Sequence, residues 1–177
     1  MKDMIQDEAY GTLTGPTELT IRRRLPGPAE RIWRYLADSE LRRKWLASGD
    51  MVPEAGRDFT LTWRNDELTD PPGERPEGLG DEHSMACTVL EAEENRVLAF
   101  TWGTGSEVRI TLEPKGEEVL LTLVHRKLMD RGSRLGVSAG WHAHLDILAA
   151  RLSGTDPAPF WDAWQGLRAD YDARLPE

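Results

Sequence analysis

The sequence has one cysteine, Cys87, so no internal disulfide can staple the fold, a usage that fits a reducing cytoplasm. No apolar run approaches the ~18 residues needed to cross a bilayer, and the opening stretch MKDMIQDEAYG lacks the apolar core of a secretory signal. No membrane association is expected, and a cytoplasmic location is. Positive charge is in deficit: 22 Lys and Arg against 31 Asp and Glu give a formal net charge of −9. That argues against nucleic acid, whose phosphates are bound mainly by clustered Lys and Arg. The one basic run, Arg22-Arg23-Arg24, reads as the solvated face of a strand. Phe and Tyr are scarce, three each, whereas Trp occurs seven times in 177 residues. Such a length suits one domain with a developed core.

Metal and covalent chemistry are thinly represented too. His142 and His144 lie two apart on a helical stretch, so their side chains diverge by about 200° and cannot share an ion. No metal or cofactor is expected. Cys87 sits among Met85, Ala86 and Val89 with no cation beside it to lower its pKa, so inert packing is the default. Ser84, Ser106 and Ser138 have no His/Asp arrangement that the sequence alone can place beside them. The pairs Gly78/Gly80 and Gly103/Gly105 lack the strand-to-helix setting of a phosphate loop.

The residues that are present divide cleanly into elements. Residues 1–16 carry little periodicity and read as an arm draped over the domain. Glu18–Leu25 alternates as a first strand, and Pro26-Gly27-Pro28 ends it and starts a helix over 28–37, with Ile32, Trp33 and Leu36 on its apolar edge. Ser39 is expected to cap a second short helix bearing Leu41, Trp45 and Leu46. Arg57–Arg64 alternates, with Phe59, Leu61 and Trp63 on one face. Residues 65–80, rich in Pro and Gly, form a long loop that suits either a lid or a surface insertion. Four strands then follow in a meander, about 83–92, 96–102, 107–113 and 119–126, with turns at 93–95, 103–105 and 114–116. The stretch 133–153 places Ser138, Trp141, His142, Leu145, Leu148, Ala149 and Leu152 on one face of a helix of roughly 30 Å. Gly154 ends it. Residues 155–177 add a helix, capped at Asp156, whose stripe of Phe160, Trp161, Trp164, Leu167 and Tyr171 must pack on the domain or on a second subunit. The expected class is α+β, with helices on one side of a curved antiparallel sheet and a domain spanning 17–154.

These stretches resemble a known family. LTIRRRLPGPAERIWRYLADSELRRKWLASG is similar to the opening of the START-like (SRPBCC, Bet v 1-like) superfamily, in its branch of heat-shock-protein ATPase activator homologues. VLEAEENRVLAFTWG resembles that family's central hairpin with its tryptophan, here Trp102. ITLEPKGEEVLLTLVHRKL resembles its last hairpin, with His125, and AGWHAHLDILAARLSG its final helix. The resemblance runs in order from about Tyr10 to Tyr171. It implies a helix-grip fold, a curved sheet wrapped around the long helix with a cavity between them.

Function is narrowed less, because the fold hosts carriers, cyclases and a chaperone-stimulating domain. Trp33, Trp63, Trp102 and Trp141 come from four elements bordering the interior, and suit a filled core or a lined pocket of a few hundred Å³. The resemblance favours a pocket, approached by Phe59, Leu61, Trp63, Trp102, His125, Trp141, His142 and Leu145. The leading expectation is a small hydrophobic or aromatic ligand there, with a homodimer formed through the arm and aromatic tail as a further one. Two alternatives belong to other classes. One is a protein that stimulates a chaperone ATPase, although the eukaryotic activator pairs this domain with a docking domain that 177 residues do not also hold. The other is a cyclase- or hydrolase-like enzyme using His125, Asp146 or a loop carboxylate in the same cavity.

Overall fold

Alternating side chains from Thr12 to Arg126 build seven antiparallel strands in the order β1-β2-β7-β6-β5-β4-β3 in a computed structural model that describes residues 9–177. The strands are β1 (Thr12–Gly15), β2 (Glu18–Pro26), β3 (Asp58–Trp63), β4 (His83–Glu93), β5 (Val97–Trp102), β6 (Ser106–Lys115) and β7 (Glu118–Arg126). Part of the expected arm is therefore a strand: Leu13 pairs with Leu19, so β1 extends the sheet beyond β2. Residues 1–8 lie outside the described residues. The last turn also falls later than expected, because β6 runs through Pro114, which pairs with Val119. Pro114 is tolerated there because β5 reaches only as far as Thr111, leaving that flank of β6 with no ladder to serve.

Helix α1 (Ala29–Ala37) buries Ile32, Trp33 and Leu36. The next helix, α2 (Ser39–Arg42), is a single turn, and its cap is Asp38 rather than Ser39: the Asp38 carboxylate accepts the Leu41 N–H at 3.1 Å. The Ser39 hydroxyl instead accepts the Gly49 N–H at 2.8 Å. Buried Arg42 organises this turn. Its guanidinium donates to the carbonyls of Leu36 (3.0 Å), Ala37 (3.3 Å), Ala47 (3.1 Å) and Gly49. It thus meets orphan carbonyls at the end of α1 that no intrahelical N–H can reach. Burial lowers its pKa to about 10, which leaves it charged at neutral pH. Gly49 is needed at φ +141°, since a Cβ there would stand 1.8 Å from the Thr60 carbonyl oxygen.

The long helix α3 (Arg131–Ser153) begins two residues before the expected start. The Asp130 carboxylate caps it, accepting the Ser133 N–H at 2.8 Å, and Gly154 closes it in the left-handed conformation. Its burial is not confined to one stripe. Trp141, Leu145 and Leu148 belong to the main core with the sheet, while Leu135 and Ala139 belong to a second cluster with Tyr171 and Leu175. Helix α4 (Phe160–Arg174) supplies that second cover, which explains why α3 is apolar on more than one side.

Helix α4 is held by the 65–80 loop, and Asp156 plays no part in its start. Its first N–H groups, from Phe160 and Trp161, donate to the Thr69 hydroxyl (2.9 Å) and the Pro72 carbonyl (2.9 Å). The Trp161 indole N–H donates to Asp66 at 2.7 Å, and the Gln165 amide to the Glu74 carbonyl at 2.8 Å. The long loop is a staple for the last helix. Among the described residues, no helix is long and apolar enough to cross a membrane.

Candidate functional site

The inner face of the sheet carries its aromatic residues toward one end, where β3 and β5 finish and β6 begins. Phe59 packs edge-on against Phe100 with ring centroids 5.6 Å apart. Trp63 meets Trp102 at 5.3 Å, and Trp102 also meets His125 at 5.2 Å and Trp141 at 5.1 Å. Trp102 is thus the hub, touched by rings from β3, β7 and α3. Leu145 is fully buried in the same core. Leu61 borders a void of about 10 Å³ with Leu36, Trp45 and Ile110, no more than a single water requires.

His142 does not join them. It follows Trp141 on α3, and the helical rotation of about 100° turns it toward α4. Its Nδ1 lies 2.8 Å from the Tyr171 hydroxyl, and its ring packs against Tyr10 at 4.7 Å. His144 turns elsewhere again, with Nδ1 2.8 Å from the Trp45 carbonyl oxygen. No cluster of three or more His, Cys, Asp or Glu suited to a metal ion occurs among the described residues.

Beside the Trp102 hub the surface opens into a groove of about 410 Å³. Trp102 and Ser106 border it from the β5–β6 hairpin, Lys127, Leu128, Met129 and Asp130 from the β7–α3 connection, and Ser133, Gly136 and Val137 from α3. Met129 is 75% exposed, the most open large apolar side chain of the described residues. No residue of the 65–80 loop borders the groove.

The wall behind the groove is a hydrogen-bonded relay whose direction is fixed. An indole nitrogen can only donate, so the Trp141 N–H donates to His125 Nδ1 at 3.0 Å. His125 must then carry its proton on Nε2, 3.1 Å from the Ser106 hydroxyl oxygen, which accepts it. The Ser106 hydroxyl donates onward to the Trp102 carbonyl at 3.1 Å. Burial lowers the His125 pKa to about 4, so the ring stays neutral at physiological pH. The pair has the composition of a nucleophile and its base, but the histidine gives its proton to the serine. Neither ring nitrogen has a free lone pair with which to act as a general base.

The mirror arrangement lies across α3. The Gly11 N–H donates to the Tyr171 hydroxyl at 2.7 Å, and the acceptor-only Asp146 carboxylate beside His142 Nε2 places the ring proton there, so the hydroxyl donates to His142 Nδ1 at 2.8 Å. His142 Nε2 faces the Asp146 carboxylate at 3.5 Å, and Arg23 holds the same carboxylate at 3.2 Å. Arg23 is therefore a buried inward residue rather than part of a solvated basic run, with a further bond to the Ala9 carbonyl. Burial first, and Arg23 second, lower His142 to about 3, and burial raises Tyr171 to about 12. Asp146 belongs to this clasp and does not border the groove.

The geometry of sheet, long helix and mouth is that of a helix-grip domain, and known proteins agree. Residues 26–153 match the family described as Activator of Hsp90 ATPase homolog 1-like protein. The chain belongs to that family. Among solved structures, this chain is similar to the protein encoded by gene BPP1335 of Bordetella parapertussis. The two are 38% identical, with a TM-score of 0.77 over 96% of this chain and 94% of that one. CalU16 of Micromonospora echinospora shares the fold at 23% identity and a TM-score of 0.66, over 88% of this chain and 86% of its own. EF2215 of Enterococcus faecalis does so at 18% and 0.71, over 98% and 95%. No curated protein matches the chain.

The groove residues Ser106, Lys127, Leu128, Met129, Gly136 and Val137 were not singled out as wall residues from sequence. A signal for Ser106 existed. In the meander register Val108 faces His125, so Ser106, two residues earlier on the same face, falls diagonally beside that histidine.

Proposed function

We propose that this member of the family binds a small aromatic or apolar molecule in the groove at the mouth of the sheet–helix interface. The observation that carries the reading is a concave space of about 410 Å³ with a tryptophan wall and an apolar lining of Leu128, Met129 and Val137. That volume and that mixture, mostly apolar with a few convergent polar groups, are those of small-ligand sites. Trp102 is the contact wall, Trp63, His125 and Trp141 hold it in place, and Phe59, Leu61 and Leu145 form the packed layer beneath. His142 has a different task on the far side of the helix. For a cyclase-like reaction, His125 lacks a free lone pair and Asp146 is engaged with Arg23.

The test is an NMR titration of isotope-labelled protein with indole, a bicyclic probe of suitable size. Saturable shifts concentrated at Trp102, Ser106, Leu128, Gly136 and Val137 are expected. An added Cβ at Gly136 meets nothing within 4 Å, so a side chain can start there on the groove wall, and Gly136→Leu should abolish those shifts. Undiminished binding in that variant would remove the reading.

A further inference from the structure

The relay behind the groove has a consequence for which ligands fit it, on the reading that the groove is a ligand site. Ser106 is part-exposed on the groove wall, and both its proton and one of its lone pairs are already committed. The proton goes to the Trp102 carbonyl, and the lone pair receives His125 Nε2–H. Turning the hydroxyl toward a ligand would give up its bond to that carbonyl, and flipping the His125 tautomer would set two N–H groups against each other at Trp141. What Ser106 can still offer a ligand is one acceptor lone pair. The fixed point of the chain is the Trp141 indole, buried and able only to donate.

We propose that the groove selects planar aromatic ligands carrying an N–H or O–H donor, and that Ser106 is the residue that reads it. A ligand presenting only an acceptor at that position, such as a ring oxygen or a carboxylate, would face a lone pair with no proton between. Trp141 and His125 act as positioning residues that hold the polarity without touching the ligand.

Indole and benzofuran make the comparison, because they share a shape and differ in an N–H against a ring oxygen. Indole is expected to bind about three- to tenfold more tightly, the range of one neutral hydrogen bond. Ser106→Ala should erase that preference by weakening indole and leaving benzofuran unchanged. In the unaltered protein, long-range proton–nitrogen NMR of the His125 ring should show the proton on Nε2. Equal affinities, a benzofuran preference, or an indole preference that survives Ser106→Ala would each overturn the proposal while leaving the groove as a binding site. A His125 proton found on Nδ1 would overturn it directly. If neither compound binds, the groove reading and this one fall together.

Discussion

Trp141 and His142 are neighbours on the long helix and lead to opposite ends. From Trp141 a chain of hydrogen bonds runs through His125 to Ser106 and stops at an open groove. From His142 a chain runs through Tyr171 to the Gly11 backbone, with Asp146 and Arg23 on the other ring nitrogen; it reaches the surface at the half-exposed Asp146 carboxylate, which Arg23 and His142 already hold, and does not border the groove. Both histidines are buried and neutral, and both have their ring nitrogens engaged. The difference is where the last group sits. A polar chain that finishes on a groove wall can address a ligand. One that joins the residue before β1, strand β2, α3 and α4 to each other is a clasp. A shifted histidine pKa is common to both and so does not by itself mark a site.

The largest expected effect comes from breaking the clasp. Tyr171 is fully buried, and Tyr171→Ala removes its ring while leaving the Gly11 N–H and His142 Nδ1 without this partner. A loss of about 3–5 kcal/mol follows from the emptied volume, a fall in Tm of roughly 10 °C for a domain of this size by calorimetry. Indole binding in the groove should move by less than about twofold, because the two regions share no partner.

Acid acts on both regions. His125 and His144 are lowered to about 4 and His142 to about 3, all chiefly by burial. Between about pH 6.5 and 4 the unfolded chain binds protons that these rings refuse. Stability is therefore full above the ordinary histidine pKa and declines as pH falls through that window, by about 1.4 kcal/mol per pH unit for each ring. Urea unfolding midpoints should be flat from pH 7 to 8 and drop below 6.5, and His142→Gln should remove about a third of the slope.

Trp141→Phe sharpens the contrast from the other side. It keeps most of the packing and deletes the one donor that fixes His125, leaving Nδ1 without a partner, at a cost of about 1–3 kcal/mol in chemical denaturation. Unlike Tyr171→Ala, it should also diminish the preference for indole over benzofuran, since either His125 tautomer is then allowed. The smallest stability effect belongs to Gly136→Leu. A non-glycine residue in the helix interior should raise stability by about 0.5–1 kcal/mol while blocking the groove, so Tm and binding move in opposite directions.

Much of the fold was legible because it is written in short-range patterns. The alternation of Phe59, Leu61 and Trp63, the meander turns and the proline entry to α1 all depend on residues a few positions apart. Strand β1 was not legible, since four residues with no clear alternation take their structure from β2. Asp38 and Ser39 are both good caps, and their roles separate only when Gly49 returns to meet Ser39. The role of the 65–80 loop depends on bonds such as Asp66 to Trp161, across about 95 residues that no local pattern spans. At the site, the rings around Trp102 could be named because strand faces order them. His142 was grouped with Trp141 because an apolar stripe wide enough to hold both hides the turn of about 100° between adjacent helix positions. That stripe was misleading because α4 gives the helix a second buried side.

The most direct measurement is a crystal structure of the protein grown with saturating indole. The ring should lie against Trp102, between Leu128 and Val137, with its nitrogen about 2.9 Å from Ser106 Oγ. Indole seated on the Tyr171 side of the long helix, or an empty groove at saturation, would contradict the assignment of the groove as the ligand site.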